Sequence, residues 1–191
     1  MSKDSMRIER GSMCYVSRRI FIALGGGMTT IACSGKTTVF KPPVQVPFLV
    51  EKAGSLVEFE LIISEYRGYF FNLEFPYHRD DEADFLRVRK LIGSAEMSRD
   101  GIPVDPGVPL RINIKVYGRD STGEKFYYEN ISNPTRVSWG NGYFTKRIDS
   151  VKLKPGSYKI RSESLLDVPE FDGANVEFSV NWHPKSTVIS E

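Results

Sequence analysis

A thiol, a small residue ahead of it and an apolar run before both form the chemistry that stands out most in this chain. Cys33 offers sulfur for thioether attachment of a diacylglycerol, and Ala32 is small enough to border a peptidase site. Cleavage there would free the amine of Cys33 for a further acyl chain. One chain binds a membrane marginally, whereas two or three anchor stably. Upstream, Arg18 and Arg19 precede 13 uncharged residues, Ile20 to Ala32. That run is shorter than the roughly 20 apolar residues a spanning helix needs. Gly25, Gly26 and Gly27 weaken any helix in it. The expectation is therefore an export signal over residues 1–32, with Cys33 as the lipidation site. Met13 offers an alternative start after a polar first stretch.

Other reactive residue types are present without the spacing that chemistry requires. His78 and His183 are the two histidines, and neither belongs to a metal-ligand repeat. Glu58 and Glu60 alternate out of one strand and read as a solvated sheet face rather than a carboxylate pair. Asp80, Asp81, Glu82 and Asp84 lack the spacing and glycine of a calcium loop and suit a helix start better. No Gly-x-Ser-x-Gly elbow occurs, and Gly140-x-Gly142 lacks the setting of a phosphate loop. The expectation is a chain without catalytic residues, metal or cofactor.

Binding, then, must rest on surface side chains. Ser138 to Phe144 read as a loop around the tight-turn pair Asn141-Gly142, bracketed by Trp139 and Tyr143. Exposed aromatics of this kind anchor protein interfaces. A helix over about 80–92 carries Arg87 and Arg89, suited to the charged rim of an interface. Six aromatics among the twelve residues from Tyr66 to Tyr77 read mostly as core.

Composition narrows the partner. The whole chain has a formal charge of +2, but residues 1–33 hold five Lys/Arg and two Asp/Glu. The remainder, with 21 basic and 22 acidic residues, is nearly neutral at −1. Such a balance gives no footprint for nucleic acid or for anionic lipid headgroups. Cys14 and Cys33 both fall in or beside the signal, so the body has no internal disulfide and must rely on a packed core. The 158 residues after Cys33 suffice for one domain.

The elements that must position these residues follow from a two-residue hydrophobic period. Residues 33–43, ending in Pro42-Pro43, read as a tether, and 44–191 as the folded domain. Val44 to Val50 reads as an edge strand because Pro47 cannot donate to a ladder. Val57, Phe59, Leu61 and Ile63 share one face, as do Tyr69, Phe71, Leu73 and Phe75. Further strands are expected at 110–116, 125–129, 144–153, 157–164 and 174–182. Asp80 or Asp81 caps the one helix and Gly93 stops it. About eight strands and one inserted helix predict an all-β sandwich.

Three local patterns carry resemblances. Leu153-Lys154-Pro155-Gly156-Ser157-Tyr158 resembles the tyrosine corner of immunoglobulin-like sandwiches, which implies an immunoglobulin-like β-sandwich and a buried Tyr158 bonded back to residues 153–156. Ser17-Arg18-Arg19-Ile20-Phe21-Ile22 resembles a twin-arginine export signal. Ile31-Ala32-Cys33 resembles a lipobox, with Thr30 where leucine is commoner. The overall layout resembles small proteobacterial envelope lipoproteins, including immunity lipoproteins that guard the periplasm against toxins delivered by type VI secretion. That resemblance implies a lipid-anchored protein at the outer membrane, facing the periplasm, that binds a toxin or an envelope component. An assembly role is the alternative, and a lipid or small-molecule carrier or an enzyme follows behind.

Overall fold

The computed structural model describes residues 39–102, 104–140 and 142–182. Among these, ten strands form two five-stranded sheets. The first contains β1 (Val39–Phe40), β3 (Leu56–Ile63), β9 (Gly156–Ser164), β5 (Ile112–Asp120) and β6 (Gly123–Ser132), in that spatial order. The second contains β2 (Val44–Pro47), β10 (Glu177–Asn181), β4 (Arg67–Pro76), β8 (Tyr143–Leu153) and β7 (Thr135–Gly140). Neighbours are antiparallel except for β1 beside β3. A helix, α1 (Glu82–Ile92), is inserted between β4 and β5. The chain is the expected all-β sandwich with one short helix.

The alternation read from sequence builds its core. Phe59, Leu61 and Ile63 of β3 and Ile112, Ile114 and Val116 of β5 are buried on one inner face. Tyr69, Phe71, Leu73 and Phe75 of β4 are buried on the other. Phe59 meets Phe178 of β10 across the sandwich, with ring centroids 5.9 Å apart. Full burial of each such side chain contributes about 1.5–3 kcal/mol.

Three features differ from expectation. The tether read as 33–43 extends too far, because Val39–Phe40 pairs with Glu60 and Leu61 and the Phe40 ring packs edge-on against Phe59. An apolar Val-Phe pair beside an open strand edge gains more from pairing than from solvent. The 138–144 segment is not a loop. Ser138, Trp139 and Gly140 pair with Thr145, Phe144 and Tyr143, so the segment is a β-hairpin closed by two residues. Finally, Asn72 and Glu74 of β4 are buried although they alternate outward. β4 is the central strand of its sheet, and its outward row is covered as well as its inward one.

The two ends of the sandwich are built differently. At one end the sheets are joined by short crossings, Ile63 to Arg67 and Leu153 to Gly156. There the Tyr158 hydroxyl donates to the Lys154 carbonyl at 2.9 Å, as expected of a tyrosine corner. Tyr69 makes the same bond to the Glu65 carbonyl, also at 2.9 Å, which sequence reading did not foresee. At the other end the long connection from β4 to β5 folds over the sandwich.

Candidate functional site

That second, open end holds both candidate elements, α1 and the β7–β8 hairpin. Its first component is α1. The Asp81 side chain caps the helix by accepting from the Asp84 amide at 3.1 Å. Asp84 in turn accepts from the His78 amide at 2.8 Å and from Arg87 Nη2 at 2.8 Å. The hydrogen bond from His78, then that from Arg87, holds the Asp84 carboxyl below the usual carboxylate range. The acidic cluster is thus spent on helix architecture. Val88, Leu91 and Ile92 turn inward, leaving Leu86, Arg87 and Arg89 exposed.

The second component, the β7–β8 hairpin, docks beside the helix start. The Tyr77 amide donates to the Gly142 carbonyl at 2.9 Å. Tyr77, Phe85 and Phe144 form a ring cluster with centroids 5.0–5.5 Å apart. Two candidate elements more than 40 residues apart in sequence are therefore neighbours. Tyr143 is half-buried and lines a small polar recess with Gln45, Glu74 and Ser179. Asn141, His183, Cys33, Ala32, Arg18 and Arg19 lie outside the described residues, as does the Trp139 side chain.

A third component was missed from sequence, the loop between α1 and β5. Ser94 N donates to the Asp105 carbonyl at 2.7 Å, Val104 N to Glu96 at 3.0 Å and Ser98 N to Ile102 at 2.7 Å. The result is a small hairpin with its turn at Gly101. Its base is clamped by two glycines. A Cβ on Gly93 would lie 2.3 Å from the Asp105 oxygen, and one on Gly107 2.4 Å from the Ile92 carbonyl carbon. Both have positive φ, +80° and +65°. The clamp supports three solvent-facing apolar side chains, Met97, Ile102 and Val104, which are 54%, 63% and 61% exposed. Gly93 was visible as a helix stop. The matching signal was Asp105-Pro106-Gly107, a turn sequence whose second role could not be seen without its contact.

Beneath this loop lies a cavity of about 300 Å³, walled by Met97, Pro106, Leu110, Pro134 and Leu166 among others. Lys146 reaches it from β8. Lys146 stands opposite Leu73 on the core-facing row, between Phe144 and Ile148, and is 2% exposed. Its Nζ donates to the Pro106 carbonyl at 3.0 Å. Sequence reading placed Lys146 in the 144–153 strand without singling it out.

Comparison with known proteins follows this geometry. The family model for a domain of unknown function, DUF5625, matches residues 45–182. A crystal structure of GEBA250068378 from Sulfurospirillum deleyianum is similar over 75% of this chain and 98% of its own, with 25% identity and a TM-score of 0.63. No curated protein matches.

Proposed function

The chain belongs to the DUF5625 family, and we propose that it serves as a lipid-anchored envelope protein whose sandwich works by binding another protein. The anchor is Cys33, exported behind Arg18 and Arg19 and freed by cleavage after Ala32, with the outer membrane's periplasmic face as destination. The partner class is a secreted toxin, which the domain inhibits as an immunity protein.

One observation carries the binding role. Met97, Ile102 and Val104 present apolar surface on a loop whose backbone is clamped at its base. Exposed apolar residues grouped on one rigid element mark an interaction surface, whereas scattered single ones do not. Pre-ordering lowers the entropy lost on association. The rim is supplied by the exposed Arg87 and Arg89 of α1, and the half-buried Tyr143 extends the surface along the hairpin.

The test is photo-crosslinking in cells, with a crosslinker placed at Met97 and, as a control, at Phe126. Phe126 is 58% exposed and lines the opposite, tyrosine-corner end. A discrete protein adduct from position 97 alone supports the reading. The same adducts from both sites, or none from either, refute it. Fatty-acid labelling of the wild type and of Cys33→Ser tests the anchor separately, with label expected only on the wild type.

A further inference from the structure

The outer face of the second sheet carries a polar recess, and strand register assembles it. Gln45 of β2 stands opposite Ser179 of β10, and Ser179 stands opposite Asn72 of β4. Glu74 follows Asn72 on the same outward row of β4, and Tyr143 of β8 pairs with Pro76 beyond it. Gln45, Glu74, Tyr143, Ser179 and Asn181 line the recess, which has a volume of about 250 Å³. An outward row of a sheet is ordinarily solvated, yet Asn72, Glu74 and Ser179 are all buried. Burying a carboxylate there costs free energy that threonine or glutamine would not. A buried ionisable group in a concave site is a mark of function.

Hydrogen bonds within the row leave capacity for a ligand. Ser179 Oγ donates to Glu74 Oε1 at 2.7 Å, and Gln45 Nε2 donates to Oε2. Each carboxylate oxygen can accept once more. Behind them, Asn72 Nδ2 lies 3.4 Å from Ser179 Oγ and from Asn181 Oδ1, while Asn72 Oδ1 is buried without a partner. A buried acceptor left unmet beside a polar recess shows that folding does not complete this network.

The donor and acceptor set selects the class of occupant. Glu74 is the one charged side chain among the described lining residues, which disfavours an anion. Polar walls disfavour an aliphatic chain. A primary ammonium brings donors and no acceptor, so it answers Glu74 but not the phenol of Tyr143 or the amide N–H groups of Asn181. A polyol answers all of them, because each hydroxyl both donates and accepts. Its carbon-bound face also packs against an aromatic ring such as Tyr143. The volume equals about eight waters at about 30 Å³ each, which suits one sugar ring rather than a chain of them. We propose that this recess binds a neutral pyranose, with adjacent hydroxyls donating to Glu74 and others meeting Asn181 and Tyr143. The inference does not rest on the protein-binding role, because Met97, Ile102 and Val104 take no part in the recess.

Titration of the full-length chain with the methyl pyranosides of glucose, galactose and mannose, followed by amide chemical shifts, tests it. Cyclohexanol, butylamine and calcium chloride serve as controls. At least one glycoside should give saturable shifts centred on Gln45, Glu74 and Ser179. Cyclohexanol, a ring with one hydroxyl, should bind at least about tenfold more weakly. Butylamine and calcium should give no saturable shift at these positions. Glu74→Gln keeps the shape and exchanges one acceptor oxygen for a donor, so it should weaken the glycoside at least about tenfold. Gln45→Trp, at an exposed position on the rim, should fill the recess and abolish binding, and serves if Glu74→Gln does not fold. Equal binding of cyclohexanol, saturable binding of butylamine or calcium here, glycoside binding that survives either variant, shifts that map elsewhere, or no saturable shift with any glycoside would overturn the proposal.

Discussion

The two ends of this sandwich meet the same problem, joining one sheet to the other, with opposite materials. At the tyrosine-corner end the crossings are short, and two phenols tie them down by bonding to carbonyls four residues upstream. Charges there are paired across strands. Lys159 Nζ lies 3.1 Å from Glu58 and 3.5 Å from Glu124, and Arg119 pairs with Glu60. At the open end the crossing from β4 to β5 takes 35 residues, including a helix, and leaves apolar side chains in solvent. It also buries a lysine and sets Glu74 beside Glu177 in register. The first end satisfies its two corner carbonyls with its own tyrosines. The second holds groups that folding alone does not require. Such exceptions to local consistency concentrate at functional sites.

The sharpest way to break this comparison is at the glycine clamp. Gly107→Ala would place a methyl within 2.4–2.6 Å of the backbone of Leu91, Ile92 and Gly93, none of which is a flexible side-chain end. It should cost at least about 3 kcal/mol. For a domain of this size the melting temperature should fall by about 6 °C or more. Gly101→Ala, in the same loop at φ +75° but with open space around it, should cost only the left-handed backbone strain of about 1–2 kcal/mol. Calorimetry of the two variants separates clash from strain. Equal losses would show that the clamp is not what orders the loop.

Next in size are the two tyrosines of the closed end. Removing either hydroxyl leaves a carbonyl without its donor, at a cost of about 1–3 kcal/mol. Tyr158→Phe and Tyr69→Phe should each lower the melting temperature without preventing folding. Burial raises both phenols above the ordinary tyrosine value, so both hydroxyls remain donors through neutral pH. If the ends are as distinct as the structure implies, neither variant changes crosslinking from position 97.

A double change on the loop surface should do the reverse. Met97→Ser with Ile102→Ser removes side chains that are more than half exposed, so stability should move by no more than about 0.5 kcal/mol. Capture of the partner should be lost. Unchanged capture would move the interface away from the loop.

Local features were legible in the sequence and long-range ones were not, for a physical reason. A tyrosine corner is local: Lys154 and Tyr158 lie four residues apart, and period-two alternation fixes which side is inward. Helix α1 was legible by the same logic, with its cap at Asp81 and stop at Gly93. Lys146 and the Gly93–Gly107 clamp depend on contacts between residues 14 to 40 apart. Alternation puts Lys146 on the same row as Phe144, but a lysine among strand residues gives no local sign that its head is held by a carbonyl 40 residues away. Tyr69 was read as core and is; its bond to Glu65 lacked the Pro-Gly turn that marked its counterpart.

The smallest predicted effect concerns the charges. Glu74 bonds to Ser179 Oγ at 2.7 Å and to Gln45, and is nearly buried. Glu177 is its half-buried cross-strand neighbour. Burial first, and then the charge of Glu74, raises the Glu177 carboxyl above its ordinary value. The folded state therefore keeps this proton to higher pH than the unfolded chain does. Its contribution to stability is fully present below the ordinary glutamate range and is lost as pH rises through the folded-state value. Glu177→Gln removes that loss. It should raise the melting temperature at pH 7 by about 1–2 °C, a few tenths of a kcal/mol after allowing for solvent screening. At pH 3, where both states are protonated, the gain should vanish. At the closed end Glu124→Gln breaks an attraction to Lys159 instead, so at pH 7 it should lower the melting temperature slightly. Opposite signs for the two variants at neutral pH would sharpen the contrast between the ends. A gain from Glu177→Gln that persists at pH 3 would assign it to side-chain packing rather than charge.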